Sequence, residues 1–77
     1  MMNLSHSNLR ELADFEERCS SLLTDGYDVL FDTTLQDRRF RKLRHRRNGN
    51  VVTLTLINHV LEQKTNGHVV FYNQYAG

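Results

Sequence analysis

The sequence predicts an α+β domain, with one N-terminal amphipathic helix packed on a small, mainly antiparallel four-stranded meander. Three observations predict it. Apolar residues recur at helical spacing before Gly26, alternating or β-rich stretches fill much of the remainder, and two Asn-Gly pairs sit beside those stretches.

The helix comes first. Ser7 suits an N-cap, and Leu9, Leu12, Phe15, Cys19, Leu22 and Leu23 fall on one side at a 3.6-residue period. Glu11, Asp14, Glu17, Arg10 and Arg18 are expected on the other, charged side, and Gly26 supplies the positive φ that commonly ends a helix. Tyr27 to Thr33 then alternates as a half-buried strand, with Tyr27, Val29, Phe31 and Thr33 facing one way, and the aromatic face is expected to meet the helix.

The segment from Leu35 to Arg47 admits two readings. Thr34 with Asp37 resembles a capping box, and Leu35, Phe40 and Leu43 would line an arginine-rich helix. The preferred reading is a strand, because Asn48-Gly49 suits a two-residue hairpin turn into Val51–Ile57. That register pairs Arg46 with Val51, Arg44 with Thr53, Leu43 with Leu54 and Lys42 with Thr55. Lys42, Arg44 and Arg46 would then share a face with Thr53 and Thr55, while Arg41 falls beside Leu56 on the apolar face and needs a bulge or an edge position. Asn66-Gly67 leads into the last strand, His68 to Tyr72. The expected core includes Tyr27, Phe31, Val52, Leu54, Leu56, Val70 and Tyr72.

The 77 residues, 39% apolar and 25% charged, are read as one small domain spanning 1–77, with an ordinary globular balance. A lone domain of this size is stable by only about 3 to 5 kcal/mol, which makes a homodimer a reasonable expectation. Cys19 is the single cysteine, so neither an intramolecular disulfide nor a multi-cysteine zinc cage is expected, and the compartment reads as reducing and cytoplasmic. The N-terminus lacks the pattern of a secretory signal, and no run approaches the ~20 apolar residues of a membrane span, so no membrane partner is expected.

Charge carries the functional reading. The net charge of +1 hides a separation: residues 1–37 hold two arginines against eight acids, whereas residues 38–47 hold seven cations and no acid. The cluster is Arg38, Arg39, Arg41, Lys42, Arg44, Arg46 and Arg47, with His45 among them. Such concentrated like charge repels itself and calls for an anion. Guanidinium groups donate paired hydrogen bonds to phosphate and stack on bases, and six of the seven cations are arginine. These eight residues, including His45, are therefore the candidate contacts to DNA or RNA, with Phe40, Tyr72 or Tyr75 as possible stacking surfaces. The reading is a noncatalytic nucleic-acid-binding or nucleic-acid-associated regulatory domain.

The alternative is a small protein-binding regulator or inhibitor, docking through the acidic helix residues Glu11, Asp14 and Glu17, through the basic face or through a sheet edge. A blander reading pairs the basic strand with the acidic helix inside the molecule, in surface pairs that contribute about 0 to 1 kcal/mol each. A third reading is a small ribonuclease, with His45 or His68 moving protons beside Arg44 and Arg46, but no spacing brings these groups together, so no enzyme is expected. Asp25, Asp28 and Asp32 lack the spacing of a calcium loop, and there is no phosphate-cradling glycine loop or dinucleotide fingerprint. No cofactor and no metal are expected.

Overall fold

The computed structural model describes residues 6–35 and 38–75, with side chains from Leu9 onward. Helix α1 (His6–Thr24) precedes strands β1 (Tyr27–Leu35), β2 (Arg38–His45), β3 (Val51–Ile57), β4 (Val60–Thr65) and β5 (His68–Gln74). Each strand pairs antiparallel with the next, giving a five-stranded meander in the order β1-β2-β3-β4-β5. The class is α+β as expected, with one strand more. The side chain of Ser7 and the capping-box partner Asp37 lie outside the described residues.

The helix covers one face of the sheet. Phe15, Cys19 and Leu22 pack on Leu43 of β2, Val52, Leu54 and Leu56 of β3, and Leu61 of β4, with Leu12, Tyr27, Phe71 and Tyr75 at the margin. The buried stripe is narrower than the apolar periodicity suggests, since Leu9 and Leu23 are exposed. Glu11 takes a place on it. It stands one turn before Phe15 and two before Cys19, so helical geometry turns it inward. Its carboxylate meets His59 Nδ1 at 2.8 Å. The helix ends where expected, with the Gly26 amide bonded to the Leu23 carbonyl and φ at +106°. Arg18 seals the far side, donating to Gln63 at 3.0 Å with its guanidinium 3.5 Å from the centre of the Phe71 ring.

The added strand is β4. Its Glu62, Gln63 and Lys64 dilute any β signal, and its turn is Asn58-His59 rather than Asn-Gly. Both turn residues have positive φ (51° and 65°), and Ile57 pairs with Val60, which makes a two-residue hairpin. Asn66-Gly67 forms the corresponding turn before β5, at φ 50° and 85°.

The β2–β3 hairpin corrects the expected register. Arg44 rather than Arg46 pairs with Val51, and Leu43 pairs with Val52. The loop spans residues 46–50: the His45 amide bonds the Asn50 carbonyl at 2.9 Å, and the Gly49 amide bonds the His45 carbonyl at 3.2 Å. Only Gly49 of the Asn48-Gly49 pair has positive φ, because the Asn48 side chain instead accepts the Asn50 amide at 2.9 Å and holds a wider turn. The shift amounts to two residues, so every β2 side chain keeps its expected face.

Bulges correct the facing of the two edge strands. Val29 pairs with Leu43 and Phe31 with the adjacent Lys42, leaving Leu30 as the extra residue. Tyr27 and Val29 therefore face the helix, whereas Phe31, Thr33 and Leu35 face away. In β5 the register skips at Val70, since Gln63 pairs with Phe71 and Lys64 with Val69. Phe31, Val70 and Tyr72, expected in the core, are each more than half exposed.

Candidate nucleic-acid interface

The alternation of β2 divides the basic cluster between two environments. Arg39, Arg41 and His45 lie on the helix-covered side with Leu43, and Arg38, Lys42 and Arg44 lie on the open side with Phe40. Arg46 and Arg47 belong to the exposed loop beyond the strand.

Arg41 is a structural cation. Its side chain is only 12% exposed, with Nη1 2.7 Å from Glu16 of the helix and Nη2 3.2 Å from Asp32 of β1. Its guanidinium also stands 5.1 Å from the centre of the Phe15 ring. Burial by itself disfavours the charge, but the Cys19 sulfur, Glu16 and Asp32 together outweigh it and hold the pKa above the ordinary arginine value. Neither a bulge nor an edge position accommodates Arg41. Carboxylates on the neighbouring helix and strand do.

His45 is likewise engaged. Its Nε2 lies 2.9 Å from the Asp25 carbonyl, and its Nδ1 accepts the Arg47 amide at 3.1 Å and, more weakly, the Asn48 amide at 3.4 Å. Nδ1 therefore carries no proton and Nε2 is the donor. The ring meets Tyr27 edge-on at 4.9 Å and so ties the end of α1 to the β2–β3 loop. Both nitrogens serve this join, and strands β3 and β4 separate His45 from His68. Arg46 forms an exposed pair with Asp28 at 3.1 Å.

The open side of the sheet can be read from the registers. It presents Asp28, Phe31, Thr33 and Leu35 of β1; Arg38, Phe40, Lys42 and Arg44 of β2; and Val51, Thr53, Thr55 and Ile57 of β3. Strands β4 and β5 add Val60, Glu62, Lys64, Val69, Tyr72 and Gln74. Among the described residues, four cations thus share the face with two carboxylates, of which Glu62 stands 3.8 Å from Lys64. Lys42 and Arg44 have no ion-pair partner among the described residues. Phe31 and Phe40 form an edge-to-face pair with centroids 5.9 Å apart, and Leu35 and Ile57 both stand beside Arg38 beyond Phe40. Leu35 and Ile57 therefore bracket Arg38 at one end, Phe31 and Phe40 lie toward the middle, and Lys42 and Arg44 continue toward the β2–β3 loop.

The acidic helix residues do not form one exposed face. Glu11 is buried against His59, and Asp14 is half-buried and accepts the Tyr75 hydroxyl at 2.6 Å, while Glu17 is exposed. Burial and this bond to Asp14 push the Tyr75 phenol above its usual pKa, and the ring packs against the core beside the helix. The exposed Phe31 joins the site instead. Sequence alternation alone placed it in the core, and only the Leu30 bulge exposes it.

Among the described residues no group of His, Cys, Asp and Glu is arranged to hold a metal ion, and no helix is long and apolar enough to cross a membrane. Comparison with family models, curated proteins and solved structures finds none that matches this chain.

Proposed function

We propose that the chain is a noncatalytic nucleic-acid-binding domain that uses the open face of its sheet. The observation that carries this reading is the row of Arg38, Phe40, Lys42 and Arg44 along one side of β2, on the face the helix leaves uncovered. Successive side chains on that side are about 6.7 Å apart, so the row sets Arg38 and Lys42 on either side of an aromatic ring, with Arg44 one step beyond. Lys64 on β4 adds a cation across the sheet, and Arg47 extends the positive surface at the loop. Phosphate supplies the anion this arrangement calls for, with counterion release as the driving term.

The contact set is accordingly smaller than the arginine cluster. Arg41 and His45 hold the fold, and Arg39 faces the helix side. The test is fluorescence anisotropy of labelled DNA and RNA, titrated with the wild-type chain and with Lys42→Ala/Arg44→Ala at low and physiological salt. Binding that persists at physiological salt and weakens in the double variant supports the reading. Absence of binding at low salt sinks it.

A protein partner is the second reading, favoured by the aliphatic exposure of Leu35 and Ile57 at the end of the same face. An acidic amphipathic segment would satisfy both the cations and the apolar end. Recovery of a partner after nuclease treatment, lost on mutation of Leu35 and Ile57 rather than of Lys42 and Arg44, distinguishes it.

A further inference from the structure

We infer that the open face takes single strands in preference to duplex, with bases stacked on the Phe31–Phe40 pair and phosphates on Lys42 and Arg44; this rests on the nucleic-acid reading above. Phe31 is 55% and Leu35 53% exposed, and Phe40 is half-buried beside them. A surface built only to grip phosphate has no use for an aromatic pair at this position. A base is the part of a nucleic acid that offers a flat apolar face, and in a duplex those faces are stacked away inside.

Dimensions point the same way. Five strands at about 4.8 Å spacing make a face roughly 19 Å across, wider than the ~12 Å major groove, which admits a helix or a two-stranded ribbon. A duplex would touch this face by its backbone and present no base face to the Phe31–Phe40 pair. A single strand can splay its bases onto the Phe31–Phe40 pair while its phosphates follow Lys42 and Arg44 of β2.

The competing occupants fit less well. A second copy laid face to face would set four cations and two carboxylates against the same net-positive set, so like charge opposes that dimer. Strand addition at an edge meets the bulges at Leu30 and Val70, which interrupt both outer ladders midway.

The experiment compares four labelled probes of one length: a pyrimidine RNA strand, the corresponding DNA strand, an abasic strand and a duplex. Each is titrated with wild type and with Phe31→Leu/Phe40→Leu, which keeps apolar bulk and removes both rings. The expected result is that either ordinary strand binds at least five-fold tighter than the abasic strand or the duplex, since stacking contributes roughly five- to hundred-fold per base. The leucine variant is expected to bind all four probes at about the abasic level, with its salt dependence unchanged. Equal binding of the abasic strand and the ordinary strands by wild type overturns the inference while the phosphate reading stands, and this comparison needs no folded variant. Duplex binding as tight as single-strand binding overturns it too. Failure of every probe at low salt overturns the parent reading and the inference together.

Discussion

Arg41 and His45 belong to the arginine cluster by sequence and to the fold by structure, and the difference is measurable. Arg41→Ala removes a guanidinium that is nearly buried between Glu16 and Asp32 and packed near Phe15, while both carboxylates keep access to solvent. The cost falls between that of an exposed and a fully buried pair, about 2 kcal/mol. Urea unfolding is expected to show that loss, with Arg41→Met losing less because it keeps apolar bulk. Gly26→Ala tests the join made by His45. At φ +106° a side chain is strained, and a Cβ there would stand 3.1 Å from His45 Nε2. A loss of about 1 to 2 kcal/mol is expected. Unchanged stability in either variant would refute the role given to its site.

At the scale of elements, the two edge bulges decide what the open face contains. Deleting Leu30 makes Val29 and Phe31 neighbours that alternate as in an unbulged strand, so Tyr27 and Val29 stay on the helix side and Phe31 and Leu35 on the open side. The packing beside Leu43 is then kept, and a change of no more than about 1 kcal/mol is expected in thermal or urea unfolding. A loss well above that would contradict the register. The bulge also explains where sequence reading stops. Helix α1 was legible because its apolar period and Gly26 are local signals, and β1, β2, β3 and β5 were legible from alternation, β-rich composition and turn residues. A bulge leaves no such mark, since Val29, Leu30 and Phe31 are all good strand residues and only pairing across strands chooses which one is extra. Strand β4 was hidden for a related reason: neighbours on both sides stabilise a strand whose polar Glu62, Gln63 and Lys64 give it little β character of their own.

At the scale of the whole molecule, one helix covers one side of a five-stranded sheet, and a basic strand shares its cations between the two sides. Alternation made that partition legible: even with the hairpin shifted by two residues, Lys42 and Arg44 share the side of Thr53 and Thr55. The partners of the covered side were not legible. Asp32 meets Arg41 only through the bulged β1–β2 register, and Glu16 and His59 meet Arg41 and Glu11 only once the helix crosses the sheet. The partition also turns a general expectation of salt-dependent binding into a sharper one, because different cations should answer to different assays. Removing a phosphate contact lowers the slope of log affinity against log salt, by about 0.7 per contact for a single strand, whereas removing a structural cation lowers stability. The most direct measurement is therefore that slope for a labelled single strand, compared among wild type, Lys42→Ala/Arg44→Ala and Arg41→Ala under conditions where all three are folded. A slope shallower by about 1.4 is expected in the double variant and an unchanged slope in Arg41→Ala. A slope that falls in Arg41→Ala but stays at the wild-type value in the double variant would contradict this division of the cations.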